Sequence, residues 1–258
     1  MRELEIAIQV AQEAGSLLVK RLLVERQVRY KGPADLVTDA DRASESLIVE
    51  RLRRDFPGYG ILSEEGKGWQ GDGRHQWIVD PLDGTTNYVH GFPFFAVSIA
   101  LAVEGQVRLG VVYDPLRGEL FQAVRGEGGL LNHTPLAVSE VGCLEEALLC
   151  TGFPHTAGKV TRENLAYFGE FLLRAQAVRR PGSAALDLAY VAAGRLDGFW
   201  ELTLSAWDMA AGVLLVEEAG GQVSSPSGEP FNLFHPAVVA SNGKIHASML
   251  QVLSRQGG

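Results

Sequence analysis

A layered α/β protein with α+β character is the fold class this sequence predicts, on three observations. Two long amphipathic helices come first, residues 77–124 read as apolar strands broken by tight turns, and strands alternate with helices after about residue 143. The 46% hydrophobic and 21% charged contents suit a globular core, and 258 residues allow one large domain or two closely packed ones.

Taken in order, residues 3–24 place Leu4, Ala7, Ile8, Ala11, Ala14, Leu18 and Leu22 on one stripe, the mark of a long helix. "KGPADLVT", residues 31–38, reads as a loop. "TDADRASESLIVERLRRDFPG" reads as a second helix, with Thr38 as N-cap and Pro57-Gly58 as its stop. "GYGILSEEG" is a short strand ending in acid, and "GWQGDGRHQ" is a polar, turn-rich loop. "WIVD", "FFAVSIALAVEG", "QVRLGVVYDPLRG" and "ELFQAVRGEGG" are separated by turns at Glu104-Gly105, Asp114-Pro115 and Arg117-Gly118, which predicts an antiparallel meander. "GEGGLL" after Arg125 lacks GxGxxG spacing, so it reads as a tight turn rather than a nucleotide loop. The remainder predicts a strand at "EALLCTG", a helix near 160–175, a strand at "AQAVRR", a helix at 184–193, a strand at "LDGFWEL", a helix at 206–219, strands at "GQVSS" and "AVVASN", and a final helix. The expected organisation is an N-terminal α+β half, residues 1–145, and a C-terminal α/β half, residues 146–258, forming one compact unit.

The net charge of −8 and pI near 5.3 argue against nucleic acid or an anionic membrane as the main partner. No apolar run reaches membrane-spanning length, and the opening segment scatters charges on a helical period, so a cytoplasmic location is expected. Cys143 and Cys150 lack a CxxC or Cys/His context and read as free thiols. The six histidines include no i,i+4 pair and read as surface or core residues.

Acidic residues fall in four clusters: Asp35, Asp39 and Asp41 in "ADLVTDAD"; Glu64-Glu65; Asp80 and Asp83 in "WIVDPLDGTTNYVH"; and Glu201 with Asp208 in "WELTLSAWDMAAG". Singly, each has a plain explanation. Thr38-x-x-Asp41 and Ser205-x-x-Asp208 resemble capping boxes, Glu64-Glu65 a solvated strand end, and Asp-Pro-Leu-Asp-Gly a turn. Together they say more. The last three clusters lie just past apolar strands or open buried-looking helices, where the loops of α/β folds gather. Carboxylates meeting there at about 4–6 Å would repel by roughly 3–4 kcal/mol per pair at an effective dielectric near 20. Several such pairs exceed the roughly 5–15 kcal/mol that stabilises a typical domain. Protonation or a cation must relieve that repulsion, since no basic residue sits within these motifs. An oxygen-only donor set selects a hard ion, Mg²⁺ or Mn²⁺. Asp80 is expected to end its strand, with Pro81 fixing a turn that returns Asp83 to the same side. The amides of Gly84, Thr85 and Thr86 then offer an anion site. Carboxylates for metal beside amides for phosphate point to phosphoryl chemistry.

These motifs resemble the inositol monophosphatase family of Mg²⁺-dependent, lithium-sensitive phosphatases, a superfamily that also includes fructose-1,6-bisphosphatases. "WIVDPLDGTTNYVHGFPFFAVSIAL" is similar to its central signature and "WDMAAGVLLVEEAGG" to its C-terminal one, while "DLVTDAD" and "ILSEEG" match its N-terminal metal region. The resemblance implies a layered α-β-α-β-α sandwich of the sugar-phosphatase type, a homodimer, and hydrolysis of a small phosphorylated polyol or sugar with two or three Mg²⁺ ions. It implies that Glu64, Asp80 and the Leu82 carbonyl hold one ion, that Asp80, Asp83 and Asp208 hold a second, and that Glu64 helps with a weaker third. Glu64 and Thr85 would position the attacking water, with Asp41 behind Thr85. Asp83 and the amides of Gly84 and Thr85 would meet the phosphate, and Ser183, Ala184 and Glu201 the alcohol. Ser63 stands where many members have glycine. "TGFPHTAGKVTREN" gives no clear match, so the alcohol stays open among inositol, fructose bisphosphate, histidinol and nucleotide phosphates. The short chain favours an inositol-type monoesterase, then a sugar bisphosphatase. A non-catalytic partner-binding protein that keeps the fold is the reading from another class. Arg179-Arg180 reads either as a surface pair or as an attractant for an anionic substrate.

Overall fold

In a computed structural model of the chain, residues 1–22, 28–30, 36–66, 68–153 and 158–254 are described, with 28–30 and 36–38 described by their backbone alone. Helix α1 (Arg2–Leu22) buries Ala7, Val10, Ala11, Ala14, Gly15 and Leu18 on one stripe. Leu4, Ile8 and Leu22, which the periodicity also selects, are only partly buried at its margins. Strands β1 (Val28–Tyr30) and β2 (Leu36–Thr38) pair antiparallel, so the expected loop at 31–38 is corrected at its end. Leu-Val-Thr favours an extended backbone once a partner strand is beside it. Lys31 and Asp35 lie outside the described residues, as does the Thr38 side chain and hence its N-cap role. Helix α2 (Asp39–Asp55) follows at once and ends before Pro57-Gly58, as its sequence predicts.

The first sheet runs β3 (Gly60–Ser63), β4 (His75–Asp83), β5 (Ala96–Val103), β6 (Gln106–Asp114), β7 (Glu119–Val124), β8 (Gly128–Leu131) and β9 (Thr134–Pro135) in that spatial order. β3 and β4 are parallel, and the rest is the antiparallel meander. The turn expected across "GEGGLL" narrows to its start, where Glu127 N–H reaches the Val124 carbonyl at 2.9 Å. Gly128 to Leu131 then pair with β7 as a strand.

The second sheet has the order β11-β10-β12-β14-β13, from β10 (Leu148–Thr151), β11 (Ala177–Arg179), β12 (Gly198–Glu201), β13 (Gln222–Ser224) and β14 (Val238–Ser241). Five helices complete the chain: α3 (Thr85–His90) after β4, α4 (Lys159–Leu172), α5 (Ala184–Ala192), α6 (Ala206–Glu218) and α7 (His246–Ser254).

Alternation along each strand fixes the layers. On β4, Trp77 and Val79 face α1 and α2, whereas Ile78 joins the core around α5 and α6. The same central core takes Val112 and Phe121 from the first sheet and Phe199, Val238 and Ala240 from the second. Helices α5 and α6 are therefore buried nearly all round, as a layer between two sheets must be. The far face of the second sheet packs Trp200 and Val239 against Phe171 of α4 and Met249 of α7. The result is an α-β-α-β-α sandwich. Both cysteines are free, and His246 is a satisfied core residue between the hydroxyls of Ser224 and Ser241.

Candidate active site

Asp80 lies two residues beyond Ile78 on β4 and so faces the α5 and α6 layer. The structure corrects the expected turn at Pro81. β4 continues through Asp83, with Asp80 opposite Ser98 and Asp83 opposite Ala96, so one extra residue is absorbed as a bulge. Proline donates no ladder hydrogen bond and is at home in a bulge, where the kink re-aims the next side chain. The local frame is well braced. Leu82 N–H donates to Asp80 Oδ1 at 3.0 Å, and Ser44 of α2 donates to the Pro81 carbonyl at 2.7 Å. Asp83 Oδ2 accepts the Ser183 hydroxyl and the Ala185 N–H, the latter at 2.8 Å, which ties β4 to the first turn of α5.

Gly84 then opens α3 with φ +93, a left-handed conformation, and a Cβ there would stand 3.0 Å from the Phe94 carbonyl. Glycine is therefore required. Thr85 Oγ1 lies 2.9 Å from Asp41 Oδ1 and 3.1 Å from the Leu82 carbonyl. Asp41 is thus engaged by Thr85 as well as belonging to the first turn of α2.

Asp208 occupies the first turn of α6, where its Oδ2 accepts the Ser205 N–H at 2.7 Å. The capping reading of Ser205-x-x-Asp208 therefore holds. Yet the Asp80, Asp83 and Asp208 carboxylates also present oxygens within 4.8 Å of one another. Capping and clustering use the same side chain.

The three acids border a cavity of about 590 Å³. Glu64, Leu82, Gly84 and Thr85 line it from the first half of the chain, and Ser183, Ala184 and Glu201 from the second. Every site residue that the family resemblance implied, except Asp41, lines this cavity, and Asp41 bonds one that does, whereas Asp39 and Glu65 of the acidic clusters do not line it. Arg180 lines it too, whereas Arg179 points its guanidinium at the Val178 carbonyl.

The electrostatics are lopsided. Burial pushes the Asp80 carboxyl well above the usual carboxylate range, and the charges of Glu64, Asp83 and Asp208 add to the rise. Asp83 is pushed up to about 6 by burial, against hydrogen bonds from Ser183, Ala185 and Ala184 that favour its charged form. Asp208 is raised by withdrawal from water and then by Asp83. Among the described residues no arginine or lysine is a cause of these shifts, so gathering three charged carboxylates here is unfavourable unless protons or a cation relieve it. An oxygen-only cluster of this spacing fits a hard divalent ion. Burial also raises Glu201 and Asp187, the neighbouring acids add to the rise, and Arg180 works against it.

Sequence reasoning missed three contributors. Asn87 Nδ2 reaches the carbonyls of Phe94, Pro181 and Gly182 at 2.7, 2.9 and 3.3 Å, bracing the turn before Ser183. Gly152 lies flat against Glu201. Asp187 is 1% exposed within α5, and the one available signal was an acid in the otherwise apolar "AALDLAYVA".

Comparison with known proteins matches residues 2–257 to the sequence model of the inositol monophosphatase family. The inositol-1-monophosphatase of Mesorhizobium japonicum is 45% identical over 255 residues, 98% of this chain and 96% of that protein. The Nus factor SuhB of Escherichia coli is 44% identical over 250 residues, 96% and 94% of the two chains. The crystal structure of the extragenic suppressor protein suhB from Bartonella henselae superposes with a TM-score of 0.95 at 43% identity, covering 99% of this chain and all of that one.

Proposed function

This chain belongs to the inositol monophosphatase family, and from that premise we propose that it hydrolyses a phosphate monoester of a small polyol, foremost myo-inositol monophosphate, with Mg²⁺. The observation that carries the reading is the set of Asp80, Asp83 and Asp208 oxygens within 4.8 Å, in a cavity that also takes in the start of α3.

Glu64, Asp80 and the Leu82 carbonyl would hold one ion, Asp80, Asp83 and Asp208 a second, and Glu64 a weaker third. Bound Mg²⁺ supplies Lewis acidity, making water a better nucleophile and neutralising charge on the phosphoryl and leaving oxygens. The chain's own residues do the positioning. Thr85 donates a hydrogen bond from its hydroxyl to Asp41, which leaves lone pairs of the Thr85 oxygen to accept a hydrogen bond from the attacking water. Glu64 borders the same space and orients that water from the other side. The amides of Gly84 and Thr85, with Asp83 beside them, meet the phosphate. Ser183, Ala184 and Glu201 face the alcohol from the second half of the chain, so that residues 1–145 and 146–258 act as one unit around the site. Lithium inhibition, a homodimer and a cytoplasmic location complete the proposal. Among the described residues, no helix is long and apolar enough to cross a membrane.

A panel of myo-inositol 1-phosphate, fructose 1,6-bisphosphate, histidinol phosphate and a nucleoside monophosphate, assayed with Mg²⁺ and again after EDTA, tests the reading. The highest kcat/KM is expected for the inositol ester, with activity lost in EDTA and restored by Mg²⁺. Preference for the bisphosphate would make the chain a sugar bisphosphatase, and turnover of no ester would overturn the enzymatic reading. Relatives named Nus factor at 44% identity favour a second reading, in which the same fold also binds a macromolecular partner.

A further inference from the structure

Helix α5 sits between the two sheets, and Asp187 is the one acid in it. The residue is 1% exposed, it lines the cavity together with Glu201, and its Oδ1 is withdrawn from solvent with no donor reaching it among the described residues. Burying a carboxyl oxygen without a partner opposes folding. No other side chain of α5 offsets that, since its residues from Ala184 to Ala192 are otherwise hydrophobic and nearly all buried, and Arg180 favours the charged carboxyl without a hydrogen bond to Oδ1. Glu201 is held close by: it is 8% exposed, and its carboxyl rests against the backbone of Gly152. The cavity thus carries two carboxyl groups besides the Asp80, Asp83 and Asp208 cluster, both near enough to feel the charge of Asp83, with Arg180 lining the cavity too.

Two neighbouring acceptors lining one cavity match two donors on a ligand. Hydroxyl groups are the donors that the alcohol portion of a phosphorylated polyol offers. We propose that Asp187 is a second recognition residue for the alcohol, accepting a hydrogen bond from a hydroxyl next to the one Glu201 holds, so that the site selects neighbouring hydroxyls. This rests on the polyol-phosphatase reading above and narrows its substrate class.

The test compares kcat/KM for myo-inositol 1-phosphate with that for p-nitrophenyl phosphate, whose alcohol has no further hydroxyl, in the wild-type chain, Asp187→Ala and Asp187→Asn. The ratio of the two is expected to fall at least ~10-fold in Asp187→Ala, through KM more than kcat, because a site built to bond a hydroxyl loses its discrimination with the acceptor. Asp187→Asn keeps an acceptor oxygen and is expected to hold the ratio within about threefold of wild type. An equal loss on both esters is what a purely structural role would give, and it overturns the proposal, as does an unchanged ratio. Should Asp187→Ala fail to fold, the wild-type chain is assayed on mono-deoxy inositol phosphates. Sensitivity at one hydroxyl besides the one that Glu201→Gln abolishes supports the proposal, and sensitivity at that one alone overturns it. A wild-type chain that turns over the aryl ester but no polyol ester sinks the functional reading and this inference together. A wild-type preference for the polyol that survives Asp187→Ala sinks this inference only.

Discussion

Asp208 accepts the backbone N–H of Ser205 at 2.7 Å while its carboxyl stands within 4.8 Å of those of Asp80 and Asp83. One side chain therefore starts α6 and completes the acidic cluster. Asparagine separates the two tasks, because it keeps an oxygen for the amide but removes the charge. Asp208→Asn is expected to lower kcat at least ~10³-fold with Mg²⁺ present, by removing a charge held against the transition state's cations. Asp208→Ala loses the cap as well, worth ~1 kcal/mol, so in EDTA it should melt about 2–4 °C below Asp208→Asn. Kinetics and thermal melts of both variants check this. Asparagine activity within tenfold of wild type would remove Asp208 from the metal assignment.

The cluster also links stability to pH. Asp80 and Asp208 are raised well above the usual range, and Asp83 up to about 6. For these groups the folded pKa exceeds the unfolded one, near 3.8. Without metal, their contribution to stability is complete below the unfolded value and is lost as pH rises through the folded values. A bound cation displaces the same protons, so its stabilisation grows with pH. The rise in Tm that Mg²⁺ gives over EDTA should therefore be larger at about pH 7.5 than at about pH 5. Scanning calorimetry at both pH values decides it, and a Mg²⁺ effect that does not change with pH contradicts the coupling.

Thr85 bridges the catalytic side of the cavity to Asp41, itself 1% exposed. Removing the hydroxyl leaves Asp41 without that donor and the water without an acceptor. Thr85→Ala is expected to lower kcat ~10²-fold with KM changed less than about threefold, and Thr85→Ser to recover most of the rate. Steady-state kinetics of the pair check the role, and an effect confined to KM would count against it.

The meander and the later strands and helices were legible because their patterns are local. Apolar runs such as Ala96 to Val103 end at Glu104-Gly105, and no distant contact is needed to see it. The pairing of Leu36 to Thr38 with β1 was not legible, since three residues show no period and the partner is not named by sequence. The bulge at Asp80 to Asp83 escaped for a related reason: Asp-Pro-Leu-Asp-Gly suits a turn and a bulge equally, and only the cross-strand partners Ser98 and Ala96 distinguish them. The gathering of Asp80, Asp83 and Asp208 was expected because these acids lie past an apolar strand or open a buried helix, where the loops of α/β folds meet, and because the family signatures contain them. Asn87 was not singled out because its partner Pro181 is 94 residues away, and Asp187 because a single acid in an apolar helical stretch carries no local sign that it borders the cavity.

Gly152 sets the position of Glu201. A Cβ at residue 152 would stand 2.0 Å from Glu201 Oε2 and 2.4 Å from its Cδ. One of the two must yield in Gly152→Ala. The backbone is held, since Asn164 Nδ2 donates to the Gly152 carbonyl at 2.6 Å and Asn164 Oδ1 accepts from Trp200 Nε1 at 2.7 Å. The Glu201 carboxyl is the far end of a flexible side chain and moves at smaller cost. Gly152→Ala is therefore expected to lower Tm by less than about 3 °C. The KM for myo-inositol 1-phosphate should rise ~10-fold with kcat changed less, because binding made equally in ground and transition states is what the displaced carboxyl supplied. Melting curves and kinetics on one preparation check both halves. A large drop in Tm with KM unchanged would mean that the backbone shifts and Glu201 stays, and the close seat of Glu201 on Gly152 would then have no part in recognising the alcohol.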